Sequence, residues 1–288
     1  MVTDNQVDTE RVVEESFTDQ FALQPLAAPP TMHPFTVWWD RKRALVTAMI
    51  GWAVVFGAWE LVVRFEWVNT LFLAAPSEIV EKLIELFSSG DIWPDLRVSG
   101  TELGLGLALS ATFGIVVGVL MGWYRWLREL LDPFVSALYA TPRIALVPLI
   151  ILWFGIGIES KVVIIFLTSV FEILVNTSAG VRSIDEGIIR AARSFGANSL
   201  QIFRTVALPS SVPFILTGLR LAVGRGLTGV VVGELFAAQA GVGHRLTRAA
   251  QLFQIEEMFA SLFIIAGAGI LFVYLLTKLE RRFDAWRL

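Results

Sequence analysis

Among the polar and ionisable residues inside long apolar stretches of this 288-residue sequence are Glu172, Asn176, Arg225, Thr228 and Glu234. An ionisable group at bilayer depth costs at least ~2.5 kcal/mol on insertion scales, so each needs a reason for being there. Glu172 and Asn176 are one helical turn apart and would face the same way. Arg225 falls near the middle of its stretch, and Glu234 toward the far end. Two chemistries fit. In one, Arg225 with Asn176 and Thr228 lines a translocation path and offers positive charge to an anion. In the other, Arg225 pairs with Glu172 and holds two spans together. Arg220, near the start of the same stretch, is placed to snorkel or to stabilise an inner gate.

Other chemistries lack their residues. No G-x-x-x-x-G-K-[ST] run is present to cradle ATP phosphates, and there is no nucleophile elbow and no HExxH. Cysteine is absent, and His33 and His244 lie too far apart in sequence to suggest a metal site. The chain is therefore expected to hold no catalytic residue, metal or cofactor of its own, and its energy must come from another chain or from a gradient. A net charge of -3 does not favour nucleic acid.

The elements that position these residues are membrane helices. With 55% hydrophobic and 17% charged residues and a mean hydropathy of +0.67, the solvent for most of the chain is lipid. Stretches near the ~20 residues that a spanning helix needs lie at about 44–63, 103–123, 133–154, 162–180, 212–236 and 258–277, an all-α chain of six spans. Gly114, Gly118 and Gly122 put small residues on one face of the second, and Gly229 and Gly233 repeat the spacing in the fifth. Pro142 and Pro148 predict a bend or irregular stretch in the third. Residues 1–40, acidic and then proline-rich, read as a disordered cytoplasmic tail without the features of a cleavable signal peptide.

Basic residues stay on the cytoplasmic side. Arg41, Lys42 and Arg43, then Arg125 and Arg128, then Arg182, Arg190, Arg193 and Arg204, then Lys278, Arg281, Arg282 and Arg287 all fall on one side of a six-span arrangement. Both termini are then cytoplasmic. The acid-rich loop 64–102 lies outside. Within it residues 77–88 alternate apolar and charged at helical spacing, predicting a short amphipathic helix on the outer face, with Ser77 placed to cap it.

The loop from Val181 to Ser211 is too polar to span and too regular to be disordered. Ile184, Ile188, Ala191, Ala192 and Phe195 line one face of a first helix. Leu200, Ile202, Phe203 and Val206 recur after Gly196 and Asn198, and Pro209 is expected to stop this second segment. The picture is a helix–turn–helix whose apolar face, flanked by arginines, suits a partner's groove.

The order Ala191-Ala192, three residues, Gly196, nine residues, Val206-Ala207-Leu208-Pro209 resembles the "EAA" loop of bacterial ABC importer permeases. Where that pattern commonly has Glu and Ile, this chain has Arg190 and Val206. Leu152-Trp153-Phe154-Gly155-Ile156, Val181-Arg182-Ser183-Ile184-Asp185, Gly218-Leu219-Arg220 and Gly241-Val242-Gly243 extend the resemblance to the nitrate/sulfonate/taurine branch, over about 45–285.

The resemblance implies a type I importer transmembrane domain over residues 41–288. It implies a second permease subunit (a homodimer or a close relative), two cytoplasmic ATPase subunits that bind the ATP and Mg, and a periplasmic or lipid-anchored substrate-binding protein. Arg190, Ala191, Ala192, Gly196, Val206, Leu208 and Pro209 would then couple to the ATPase. The solute would be a small anion such as nitrate, a sulfonate, taurine or bicarbonate. The rival is an ion-gradient-driven secondary transporter, which usually shows inverted repeats, and none is visible in this sequence.

Overall fold

The computed structural model describes residues 34–280. Most of the expected acidic tail lies outside them, as do Arg281, Arg282 and Arg287. Helix α1 (Pro34–Arg64) already begins within the stretch read as tail, opening on a proline whose fixed φ suits a first helical turn. The described residues belong to two compact units, one ending at Ala58 and one running from Trp59. In the first, α1 exposes apolar side chains on every face, Leu45, Met49, Trp52 and Val55 among them, as a lipid-facing helix does.

The second unit continues with α2 (Pro76–Ser89), α3 (Ile92–Trp123), α4 (Arg125–Ala140), a 3₁₀ turn (Arg143–Leu146), α5 (Val147–Phe154) and α6 (Ile158–Arg182). It goes on through α7 (Glu186–Ser194), α8 (Ser199–Ile202), a π turn (Phe203–Ala207), α9 (Leu208–Ala237), α10 (Val242–Gln251) and α11 (Ile255–Glu280). Five helical stretches are long and apolar enough to span, and the stretch 125–154 makes a sixth if its two halves count as one, bent by 86°. That bend falls at Thr141 and Pro142, where a proline was expected to interrupt the span. Arg125 and Arg128, read as a loop, instead open α4.

The centre of the unit is α6, the most buried of the spans. Glycines on both neighbours let their backbones approach it. A Cβ at Gly114 would lie 3.0 Å from the Val170 carbonyl oxygen, and one at Gly218 2.9 Å from that of Glu172. The glycine spacing noted in the second and fifth spans thus sets the α3–α6 and α6–α9 contacts.

Three sequence expectations are corrected. The second span starts at Ile92 rather than 103, because Asp95, Ser99 and Glu102, too polar for lipid, find partners within the unit. The short outer helix begins at Pro76 after Ala75. Ser77 does not cap it, since its N–H and hydroxyl donate to Glu60 at 3.0 and 2.7 Å, while Glu78 accepts from the Ala75 N–H at 2.8 Å. Amphipathic as expected, α2 buries Ile79 and Leu86 in one cluster with Val242, Ile255 and Ile264. Lastly, Pro209 does not end the segment before it. The helical path runs on from Ser199 to Ala237, and the wide π turn immediately before α9 spares Pro209 the i−4 carbonyl clash that would break a regular helix.

Candidate functional site: a polar cluster and a surface loop

The first site lies halfway along α6 and α9. The Glu172 carboxylate is buried, with 7% of its side chain exposed, and accepts from Arg225 Nε at 3.2 Å, whereas the Arg225 side chain is 62% exposed. The Tyr139 hydroxyl, from the last turn of α4, reaches the same carboxylate at 3.4 Å. Just past the bend, Arg143 Nη1 donates to the Thr168 carbonyl at 3.1 Å. Its guanidinium carbon stands 5.3 Å from the Tyr139 ring centre and 5.4 Å from that of Phe171, within cation–π range. The pairing of Arg225 with Glu172 that the sequence allowed is thus present, and Arg225 is paired and yet presented outward.

The other candidates divide. Asn176 Nδ2 donates to the Glu172 backbone carbonyl at 2.7 Å, so its amide is spent on its own helix beside the cluster. Thr228, one turn past Arg225, is exposed and lines a groove of about 680 Å³ between α9 and α11 with Gly224, Leu227, Gly269 and Tyr274. Glu234 is not brought to the cluster. It is 1% exposed at the far end of α9, accepting from Ser99 Oγ and the Gly243 N–H at 2.5 Å each. It thereby fastens the Gly241–Gly243 turn to α3, with Ser99 also accepting from the Val242 N–H and Asp95 from the Gly241 N–H, each at 2.9 Å. Arg245 completes this region through Asp95 at 2.7 Å and Glu257 at 2.9 Å. Although burial works against its charge, those carboxylates hold its pKa above the ordinary arginine value. Arg220 forms an ion pair with Glu280 at the end of α11.

Tyr139 and Arg143 escaped the sequence reading. The usable signal was Pro142: a break at membrane depth is tolerated only where protein or water covers the freed backbone, and an arginine beside one must face the bundle interior or water.

The second site is the loop. Asp185 caps α7 by accepting from the Gly187 N–H at 2.5 Å. At the other end the Gly196 N–H bonds the Arg193 carbonyl at 2.9 Å and the Ala197 N–H that of Ala192 at 3.0 Å, a helix stop that needs the left-handed φ of +82° which Gly196 supplies. Asn198 and Gln201 then cap α8 reciprocally, at 2.8 and 2.9 Å. Ile202 and Ala207 are buried and Phe203 meets Trp123 edge-on, so the second arm is anchored to the bundle. The first arm is not: α7 buries no residue, and Phe195 is 92% exposed. Arg190, Ala191 and Leu208 are exposed, while Ala192, Val206 and Pro209 are half-buried.

Residues 112–286 match the family model described as binding-protein-dependent transport system inner membrane component. The chain is 34% identical to the taurine transport system permease protein TauC of Escherichia coli (strain K12), over 86% of this chain and 92% of that protein. It is also 34% identical to the putative aliphatic sulfonates transport permease protein SsuC of Bacillus subtilis (strain 168), over 82% and 85% respectively. Among solved structures, that of a bacterial ABC transporter involved in the import of the acidic polysaccharide alginate superposes with a TM-score of 0.58 at 16% identity, covering 86% of this chain and 99% of that one, a likeness of fold.

Proposed function

The chain belongs to the family of binding-protein-dependent transport system inner membrane components, and on that premise we propose that it works as the permease of an ATP-driven importer of a small anion. It is an ABC importer permease of the sulfonate and taurine type and a multi-pass membrane protein. The reading adds what drives it and what it carries. ATP and Mg bind to a partner ATPase, a substrate-binding protein delivers the solute from outside, and both termini and the Val181–Ser211 loop face the cytoplasm. A second copy of this chain completes the path.

The observation that supports the coupling role is α7, an amphipathic helix held at both ends by caps in which no residue is fully buried, with Phe195 92% exposed. Such a face is a docking surface awaiting a groove. Arg190, Ala191, Ala192 and Gly196 would meet the ATPase, while Val206, Leu208 and Pro209 pass its motion into α9. The anion preference rests on Arg225, whose exposed charge would be prohibitive against lipid and is acceptable toward a second chain and a wet path. Thr228 on the same stripe borders that path. Glu172 sets the position of Arg225, Asn176 borders the cluster on the same helix, and Glu234 acts at a distance by holding the outer turn.

Co-purification from the native membrane, with ATP-driven uptake, tests this. Gly196→Asp is the informative variant: a Cβ there meets nothing within 4 Å, and Asp tolerates left-handed backbone better than most residues, so only local backbone strain is added and the permease is expected to fold. The new carboxylate faces the partner. ATPase recovery and uptake are expected to fall roughly 30-fold or more, the effect of one interface hot spot of about 2 kcal/mol, with the permease present at wild-type amounts. Uptake by wild type on an ion gradient, with no ATPase recovered, would replace this reading with the secondary transporter.

A further inference from the structure

Arg143 is the second guanidinium of the polar cluster, and among the described residues no carboxylate pairs with it. Its Nη1 bonds only carbonyl oxygens, those of Thr168 and Leu167, and its guanidinium carbon stands over the rings of Tyr139 and Phe171. Tyr139 ties it to Arg225, since its ring carries Arg143 while its hydroxyl donates to Glu172, the partner of Arg225. Two arginines and one glutamate leave the cluster with one unit of positive charge. That surplus sits where the span is broken, a place where irregular backbone survives only if it borders protein or a water-filled cavity. An uncompensated charge at such depth calls for a counter-charge, and no other side chain supplies one among the described residues.

We propose that Arg143, Tyr139 and Arg225 form a transit site for an oxyanion group of single charge, sulfonate, carboxylate or nitrate, and that Glu172 is the resident counter-ion which the passing anion displaces from Arg225. The inference rests on the reading that solute crosses along the Arg225 stripe. Arginine is suited to the task because its planar fork can donate two parallel hydrogen bonds to one oxyanion. Glu172 explains why the site releases what it takes. By competing for Arg225 it keeps the anion weakly held, as a path must to allow both entry and exit. It also sets the charge: one monoanion neutralises the cluster, whereas a dianion would overshoot.

The test is calorimetric titration of the purified permease, with whatever chains accompany it, using sodium methanesulfonate, nitrate and sulfate at fixed ionic strength. Wild type is expected to bind methanesulfonate and nitrate weakly, and sulfate more weakly still. Arg143→Gln and Arg225→Gln should each weaken methanesulfonate about tenfold, the loss of one charge-assisted contact. Glu172→Gln should tighten it about tenfold and bring sulfate up to comparable affinity, since it removes the competing charge. Arg143→Lys, keeping charge and ring contact but losing the fork, should fall between wild type and Arg143→Gln, and it serves if the glutamine variant does not accumulate. Absence of methanesulfonate binding in wild type overturns the proposal, as does binding unmoved by both Arg143→Lys and Glu172→Gln. Because the titration needs neither ATPase nor binding protein, failure to recover an ATPase would sink the importer mechanism and leave this result readable.

Discussion

Lys161→Ala is expected to cost about 3–5 kcal/mol and to remove most of the folded chain from the membrane. Lys161 pairs with Glu102, both side chains being almost wholly buried. Glu234 sits in the same polar pocket, and the second carboxylate oxygen of Glu102 has no hydrogen-bond partner. Removing the ammonium strands the Glu102 carboxylate away from water, where lipid cannot solvate it. The whole stability of a typical domain is about 5–15 kcal/mol, so a loss of this size is decisive. Replacing both partners with apolar residues of similar bulk, Glu102→Leu with Lys161→Met, should recover a large part of it, because the charges are then gone rather than unpaired. Detergent-extracted yield and thermal unfolding of the single and double variants measure this. A single variant as stable as wild type would show that the pair carries no such role.

Gly118→Leu is expected to prevent α3 from seating on α6. A Cβ at Gly118 would lie 2.7 Å from the Leu174 carbonyl oxygen and 2.8 Å from Thr177 Cβ. A rotamer change cannot relieve the first contact, because the obstacle is helix backbone. The two helices must separate, and the cost should reach or exceed the ~3 kcal/mol upper end of ordinary overpacking. Gly104→Leu in the same helix is the control, since a Cβ there meets nothing within 4 Å and should change neither yield nor unfolding temperature. Equal behaviour of the two variants would mean that the glycine stripe does not set the helix contact.

How far the sequence could be read depended on the range of the interactions involved. Membrane helices, their approximate spans and the break at Pro142 were legible because lipid imposes its rule on each segment separately: about 20 apolar residues and no unpaired backbone. The Val181–Ser211 loop was legible for a related reason. Its turn is local chemistry, with Gly196 stopping α7 and Asn198 starting α8, and α7 keeps its amphipathic face whatever the rest of the fold does. The glycine spacing likewise announced that neighbours come close, although only the structure showed that α6 is the helix approached from both sides.

The polar residues were a different matter. Composition required that Glu172, Arg225 and Glu234 have partners, but a partner can come from any helix. Glu172 and Arg225 are 53 residues apart and meet; Glu234 is nine residues beyond Arg225 in the same helix and serves the far end, bound to Ser99 across 135 residues. Tyr139 and Arg143 join the first group only because the bend at Thr141 and Pro142 turns them toward α6. Hydropathy and helical phase, local quantities, determined by themselves that this chain crosses the membrane and carries an amphipathic loop between two of its spans. Which charges neutralise one another, and which is left over, was decided by helix packing, because in a medium without water every charge must find its partner across space rather than along the chain.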